Sequence, residues 1–157
     1  MAADLLVKLY EIQENYALLD RLNKQGITIR RALPADMHRL REFAILHFSE
    51  GWADECIVSV AHSGCFIAVL DKQIVGFACT EAMPDYFGPT GVLETMRGKG
   101  IGNALLLRCL VSMRERGYAY AIIGYVDEAM EFYKKTIGAI EIPDSIPGHF
   151  GNLISFD

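Results

Sequence analysis

Apolar residues recur along this chain in two periods, and the places where one gives way to the other divide it into elements. Residues 27–32 alternate, with Ile27 and Ile29 on one side and Thr28 and Arg30 on the other, and so predict a strand. Upstream, residues 5–12 have strand-type composition while Leu5, Leu9, Ile12, Tyr16 and Leu19 also form a helical stripe; the reading adopted is a short strand followed by a helix over 15–24, closed by Gly26. Pro34 and Asp36 open a helix whose apolar positions Met37, Leu40, Phe43, Ala44 and His47 keep helical spacing to an end near Gly51. A shorter helix is expected over 53–62, stopped by Ser63 and Gly64.

Two β-branched-rich runs, 65–70 and 74–80, joined by residues 71–73, read as a hairpin. Residues 83–89 hold Pro84, Gly88 and Pro89 and read as a loop or an irregular edge, with a short strand at 90–94 after it. A strong helix follows over 102–116, carrying Leu105, Leu106, Cys109, Leu110 and Met113, and Gly117 ends it. The unbroken apolar run 119–124 is that of a strand buried on both faces. Residues 127–137 predict a helix with Asp127 as its cap and lysines in its last turn, then terminal strands at 139–142 and 150–156. The sum is an α/β chain (α+β by some schemes): a mixed sheet with helices packed on its faces.

Composition narrows the function classes. At 157 residues the chain is one domain's worth, and 52% hydrophobic with 22% charged residues is a globular rather than a disordered composition. A net charge of -5 and a pI near 5.4 argue against a partner nucleic acid held by charge. No apolar run approaches the ~20 residues of a bilayer span, and Asp4 and Lys8 interrupt the amino-terminal stretch, so neither membrane nor secretion is indicated and the expectation is cytoplasmic. Cys56, Cys65, Cys79 and Cys109 match no zinc or redox spacing and are read as buried thiols. His38, His47, His62 and His149 are scattered, so no metal is expected.

The informative stretch runs from Val92 to Leu110. A strand enters Arg97-Gly98-Lys99-Gly100-Ile101-Gly102 and a helix begins where the glycines stop. Glycines let a ligand approach the backbone, and a new helix presents unpaired N–H groups, so the turn suits a phosphate or diphosphate. A Walker loop would need Ser or Thr after Lys99, where Gly100 stands. A dinucleotide fingerprint would need wider glycine spacing and an acid near 119–121, which are Ala, Tyr and Ala. What remains is R-x-x-G-x-G, formed by Arg97, Gly100 and Gly102.

That pattern resembles the acetyl-CoA motif of the GNAT N-acetyltransferase superfamily. Residues 131–139, EFYKKTIGA, resemble the family's second motif, and the order of elements is similar from residue 27 onward. The resemblance implies a GNAT-like domain over 27–157, a mostly antiparallel mixed sheet with helices on both faces, and a strand and helix extension over 1–26 packed on it. It also implies acetyl-CoA as cofactor. Main-chain N–H groups of Arg97, Gly98, Lys99, Gly100, Ile101, Gly102 and Asn103 would hold its diphosphate, the main chain of Val92 and Leu93 would pair with its pantetheine arm, and the strands at 90–94 and 119–124 would splay to admit it. Tyr133 would protonate the leaving thiolate, Phe132 would pack on the cofactor or the core, and Lys134 or Lys135 could approach its phosphates.

The implied reaction is acetyl transfer to an amine of a small molecule or peptide by direct attack. The alternative is a non-catalytic acyl-CoA-binding regulatory module. Glu81, Asp85 and Glu94 are the carboxylates near the relevant strands; Glu81 ranks first as general base because it ends a strand expected to border the cleft, although a solvated strand-end acid has the same sequence signature. Tyr133 could equally be a core aromatic spaced with Ala129 and Ile137. Trp52, Tyr86 and Phe87 could line an acceptor pocket or simply pack. Three features depart from the family: Val126 stands where an asparagine often opens the tyrosine helix, Gly138 follows Tyr133 at a step of five positions where four is commoner, and Ala139 replaces the usual Phe. The amino-terminal segment could cover the sheet or join a second subunit in a homodimer.

Overall fold

The computed structural model describes residues 1–154. Seven strands, β1 (Ala3–Lys8), β2 (Thr28–Arg31), β3 (Cys65–Leu70), β4 (Gln73–Thr80), β5 (Tyr86–Val92), β6 (Tyr120–Val126) and β7 (Ile140–Glu141), form one sheet in the order β2-β3-β4-β5-β6-β1-β7. Every neighbouring pair is antiparallel except β5 and β6. Five helices cover it: α1 (Tyr16–Lys24), α2 (Met37–His47), α3 (Glu50–Ala61), α4 (Ile101–Glu115) and α5 (Met130–Ile137).

The two-residue period of the central strands sorts the core into two layers. On β3, Phe66 and Ala68 join Leu18 and Leu22 of α1, Leu105, Leu106 and Leu110 of α4, and Met130, Tyr133 and Ile137 of α5. Cys65 and Ile67 turn the other way, toward Leu40, Phe43 and Ala44 of α2 and Ala53, Cys56 and Val60 of α3, where Phe77 and Cys79 of β4 also point. All four cysteines are free and buried, as their apolar surroundings predict. The Sγ of Cys79 lies 3.7 Å from that of Cys56 and 3.9 Å from that of Cys65.

Several boundaries differ from the sequence expectation. Residues 83–89 are not all loop: β5 starts at Tyr86 and runs through Gly88 and Pro89. Thr80 faces Phe87 and Ala78 faces Thr90, so β5 carries one extra residue there. Proline has no N–H to give a ladder, and a bulge is where a strand tolerates it. The second helix ends at His47; Ser49 caps the next, its hydroxyl accepting the Trp52 N–H at 3.1 Å, which leaves Gly51 inside the first turn of α3. Asp127 does not cap α5, which begins at Met130 after a turn closed by the Met130 N–H on the Asp127 carbonyl at 3.2 Å. Gly148–Phe150 is a short 3-10 turn in place of the start of the strand expected over 150–156; Phe156 lies outside the described residues.

The amino-terminal strand is an interior one. Lys8 pairs with Tyr120 and Ala3 with Val126, while Leu5 and Leu6 face Glu141 and Ile140 on the other side. Leu5, Val7 and Leu9 are completely buried. At a bulge between Ala3 and Leu5, buried Asp4 accepts the Tyr125 N–H at 2.8 Å.

Candidate active site

The cleft exists because β5 leaves β6. The two strands pair only at Tyr86 with Ile122 and Phe87 with Ile123, and the bulge at Gly88 and Pro89 follows at once. A bulge bends its strand, so beyond Phe87 the sheet opens. The opening is a cleft of about 780 Å³ lined by Phe87, Thr90, Gly91 and Val92 of β5, by the turn into α4, by Ala129, Phe132 and Tyr133 around the start of α5, and by Phe48 and Trp52. Leu106 and Tyr133 belong to the α4 side of the sheet, whereas Phe48 and Trp52 pack with the α2–α3 side. The cleft therefore draws its walls from both sides of the sheet.

Just past the end of β5, Leu93 donates to the Val75 carbonyl at 2.8 Å and its own carbonyl accepts from Met96 at 2.8 Å. The main chain of Leu93 is thus spent inside the fold and is not open to an added strand, contrary to the expectation for that residue. In an antiparallel ladder the direction of the backbone groups alternates. With Leu93 turned to β4, Val92 and Thr90 turn away from it, toward the gap. The Arg97 Nε–H holds the Val92 carbonyl at 3.2 Å. Gly91 is needed for space: a Cβ there would fall 2.3 Å from the ring of Phe48. That ring stacks on Trp52, centroids 5.1 Å apart and planes 22° apart, and walls one end of the cleft.

The glycine turn presents a row of main-chain donors. Gly98 and Gly100 have φ of +83° and +93°, a region that favours glycine. Helix α4 starts with Ala104 donating to the Gly100 carbonyl at 3.0 Å. The Arg97 N–H, expected among the diphosphate donors, instead donates to the Glu94 carbonyl at 3.3 Å; among the described residues, none of the N–H groups from Gly98 to Asn103 donates to another group. Six consecutive main-chain donors, three of them at the positive end of a 15-residue helix, have the chemistry to bind a diphosphate. The Asn103 Oδ1 is buried at the same place without a partner among the described residues.

Tyr133 stands across from this turn. It is 6% exposed, its ring meets Phe87 edge-on at 6.4 Å and Phe132 at 5.3 Å, and its hydroxyl has no hydrogen-bond partner among the described residues. Burial pushes its pKa up to about 12, with a smaller contribution from Cys109, so at neutral pH it is a phenol with its proton free to be offered into the cleft.

Of the other residues named from sequence, Lys135 is exposed on α5 and is not part of the cleft wall, while Lys134 is engaged with Glu141 at 2.9 Å. Lys99 is exposed at the turn. Glu81 does not reach the cleft. It follows the end of β4 near the start of β6, where its Oε2 accepts the Tyr118 hydroxyl at 3.1 Å and its carbonyl meets His62 Nδ1 at 3.0 Å. The gap opens toward the other ends of β5 and β6, and no residue of β4 lines it, so the strand that Glu81 follows does not border the cleft as expected. The carboxylate that does line the cleft is Glu128. Glu128 and Phe48 carry no sequence signal: each sits between elements and is brought in by the turn that follows it.

A model of the Acetyltransferase (GNAT) family matches residues 31–139. Among solved structures, a GCN5-related glucosamine N-acetyltransferase region of a fungal multi-domain GH3 β-N-acetylglucosaminidase superposes with a TM-score of 0.73 at 17% identity, over 90% of this chain and 20% of that one. A GCN5-related N-acetyltransferase from Sphaerobacter thermophilus gives 0.68 at 19% identity, over 90% and 48%. A GNAT family acetyltransferase from Brucella melitensis, in complex with acetyl-CoA, gives 0.51 at 22% identity, over 68% and 80%. The chain thus spans 20% and 48% of the length of the first two. A search of curated proteins finds no match.

Proposed function

Because the chain belongs to the GNAT family of acetyltransferases, we propose that the cleft transfers an acetyl group from acetyl-CoA to an amine of a small molecule or peptide by direct attack. The observation that carries this reading is the run of six unpartnered N–H groups from Gly98 to Asn103 at one end of a cleft whose other wall presents the free hydroxyl of Tyr133. Those donors suit a diphosphate, and the outward-facing main chain of Thr90 and Val92 suits an extended amide-bearing arm. Bound there, acetyl-CoA supplies a thioester, an acyl carbon already activated for attack.

The chain's own residues then have three tasks. The first is orientation: β5 and the glycine turn hold the donor from the α4 side, which leaves the Phe48–Trp52 side for the amine. The second is the leaving sulfur. As the amine nitrogen bonds to the acyl carbon and the carbon–sulfur bond breaks, negative charge collects on sulfur, and the Tyr133 hydroxyl donates a hydrogen bond to it. Burial raises that phenol above its ordinary range, so at neutral pH it holds a proton, and Tyr133 both stabilises the charge on sulfur and is placed to return a proton to the departing thiolate.

The third task is removal of the amine's proton. Glu128, at the cleft wall, takes it directly or through water, in place of Glu81. The test is release of free thiol from acetyl-CoA across a panel of amines, beside equilibrium binding of acetyl-CoA. Saturable binding with amine-dependent release supports the reading. Binding with no release from any amine favours a regulatory module, and no binding removes the reading altogether.

A further inference from the structure

Helix α1 lies outside the residues matched by the family model, yet it touches the glycine turn. Arg21 Nη1 donates to the Lys99 carbonyl at 3.1 Å, and its Nη2 lies 2.9 Å from where a Cβ on Gly100 would stand, beside Leu18 Cδ1 at 2.8 Å. The lack of a side chain at Gly100 is what admits the guanidinium. That contact uses one donor nitrogen. Arg21 is exposed, forms no ion pair among the described residues, and its Nη2 and Nε have no protein acceptor among them. Lys24 on the same helix and Lys99 on the turn are exposed beside it, gathering positive charge in a chain whose net charge is -5.

We propose that Arg21 binds the ribose phosphate at the nucleotide end of coenzyme A, so that a helix from outside the matched region supplies a subsite for the cofactor. The inference rests on the reading of the cleft as an acetyl-CoA site. The main-chain donors of the turn line the cleft and suit the diphosphate; Arg21 is not part of the cleft wall but stands on the α1 side of the same turn, where only a group reaching beyond the diphosphate would meet it. A guanidinium with a free fork of donors is suited to a terminal phosphate, to which it can give two parallel hydrogen bonds. The hydrogen bond to Lys99 fixes its position before any ligand arrives, which lowers the ordering cost of binding.

The experiment is calorimetric titration of wild type, Arg21→Gln and Arg21→Lys with coenzyme A and with dephospho-coenzyme A, which lacks only the ribose phosphate. Wild type is expected to prefer coenzyme A by about 10-fold or more, Arg21→Gln to lose that preference while binding the dephospho form within about 3-fold of wild type, and Arg21→Lys to recover part of it. Equal affinity of wild type for the two ligands overturns the proposal. So does an Arg21→Gln variant that weakens both ligands alike, which would put the residue's effect at the diphosphate or in the shape of the turn. If wild type binds neither ligand, the acetyl-CoA reading itself falls and takes this inference with it, whereas the first two failures leave that reading standing.

Discussion

The rings of Phe87 and Tyr133 meet edge-on, 6.4 Å between centroids, at the point where β5 parts from β6. Phe87 is the last residue of β5 to pair with β6, so the catalytic candidate rests where the opening begins rather than on its rim.

That packing makes a test of Tyr133 clean. Tyr133→Phe keeps the ring and removes the donor, and is expected to lower kcat about 10²-fold with KM for acetyl-CoA nearly unchanged. Near-normal turnover would take Tyr133 out of the mechanism. The same variant has a stability signature. Below pH 10 both folded and unfolded chains hold the phenolic proton; between pH 10 and about 12 only the folded one does, so stability falls as pH rises through that window. Thermal denaturation should show wild type losing up to about 2–3 kcal/mol there relative to Tyr133→Phe. Parallel alkaline curves for the two proteins would contradict the burial of the hydroxyl group.

Gly98 and Gly100 share a positive φ but not their surroundings. A Cβ on Gly98 meets nothing within 4 Å, whereas one on Gly100 meets Leu18 and Arg21. Gly98→Ala is expected to cost only backbone strain, about 1 kcal/mol; Gly100→Ala adds the clash and is expected to cost about 2–4 kcal/mol with a clear loss of acetyl-CoA affinity. Chemical denaturation and titration measure both. Equal costs would mean that α1 yields freely and does not press on the turn.

The two carboxylates separate by position. Glu81→Gln is expected to leave kcat/KM within about 3-fold of wild type, and Glu128→Gln to lower it by about 10²-fold near neutral pH. The reverse order would restore Glu81 and require the amine to approach from the other end of the sheet.

Arg30 and Asp36 form a bidentate pair at 2.8 and 2.9 Å, and Asp36 also accepts the Leu33 N–H at 2.6 Å ahead of α2. The hydrogen bond from Arg30 holds the Asp36 carboxyl below its ordinary range, with the Leu33 N–H adding to it. Its stabilisation is complete above the unfolded value near 3.9 and is lost as pH falls through the lower folded value. Asp36→Asn should destabilise the protein by about 1–2 kcal/mol at pH 7, with the difference vanishing in acid. A difference that persists at pH 2 would count against the pair.

Local signals carried most of the fold. Periodicity found all five helices and placed the core strands, because each of those elements buries a face that repeats in sequence. It failed at Gly88 and Pro89, where residues that end strands elsewhere are used to bend one, and at Ser49, where a cap was hidden behind Gly51 in the helix it opens. In the cleft, the glycine turn was legible because its chemistry is contiguous. Phe48 and Glu128 were not, nor was Arg21 on the far side of that turn, since each arrives from an element whose own pattern says only that it is a helix or a turn. Glu81 was placed at the cleft because sequence locates a strand but not which neighbours will part to make the gap, which opens between β5 and β6.

The position of β1 has a kinetic side. Its partners on β6 lie more than a hundred residues further along, Lys8 against Tyr120 and Ala3 against Val126. Closing so long a loop costs about 2 kcal/mol more entropy than closing one of ten residues, and pairings of that span are slow to form. While a ribosome is still making β6, the buried apolar face of Leu5, Val7 and Leu9 has no ladder to join. The glycine turn can take shape first from neighbouring residues, but the edge of β6 that β1 covers must stay bare until a distant segment returns, and it is there that a chaperone would find its longest opportunity.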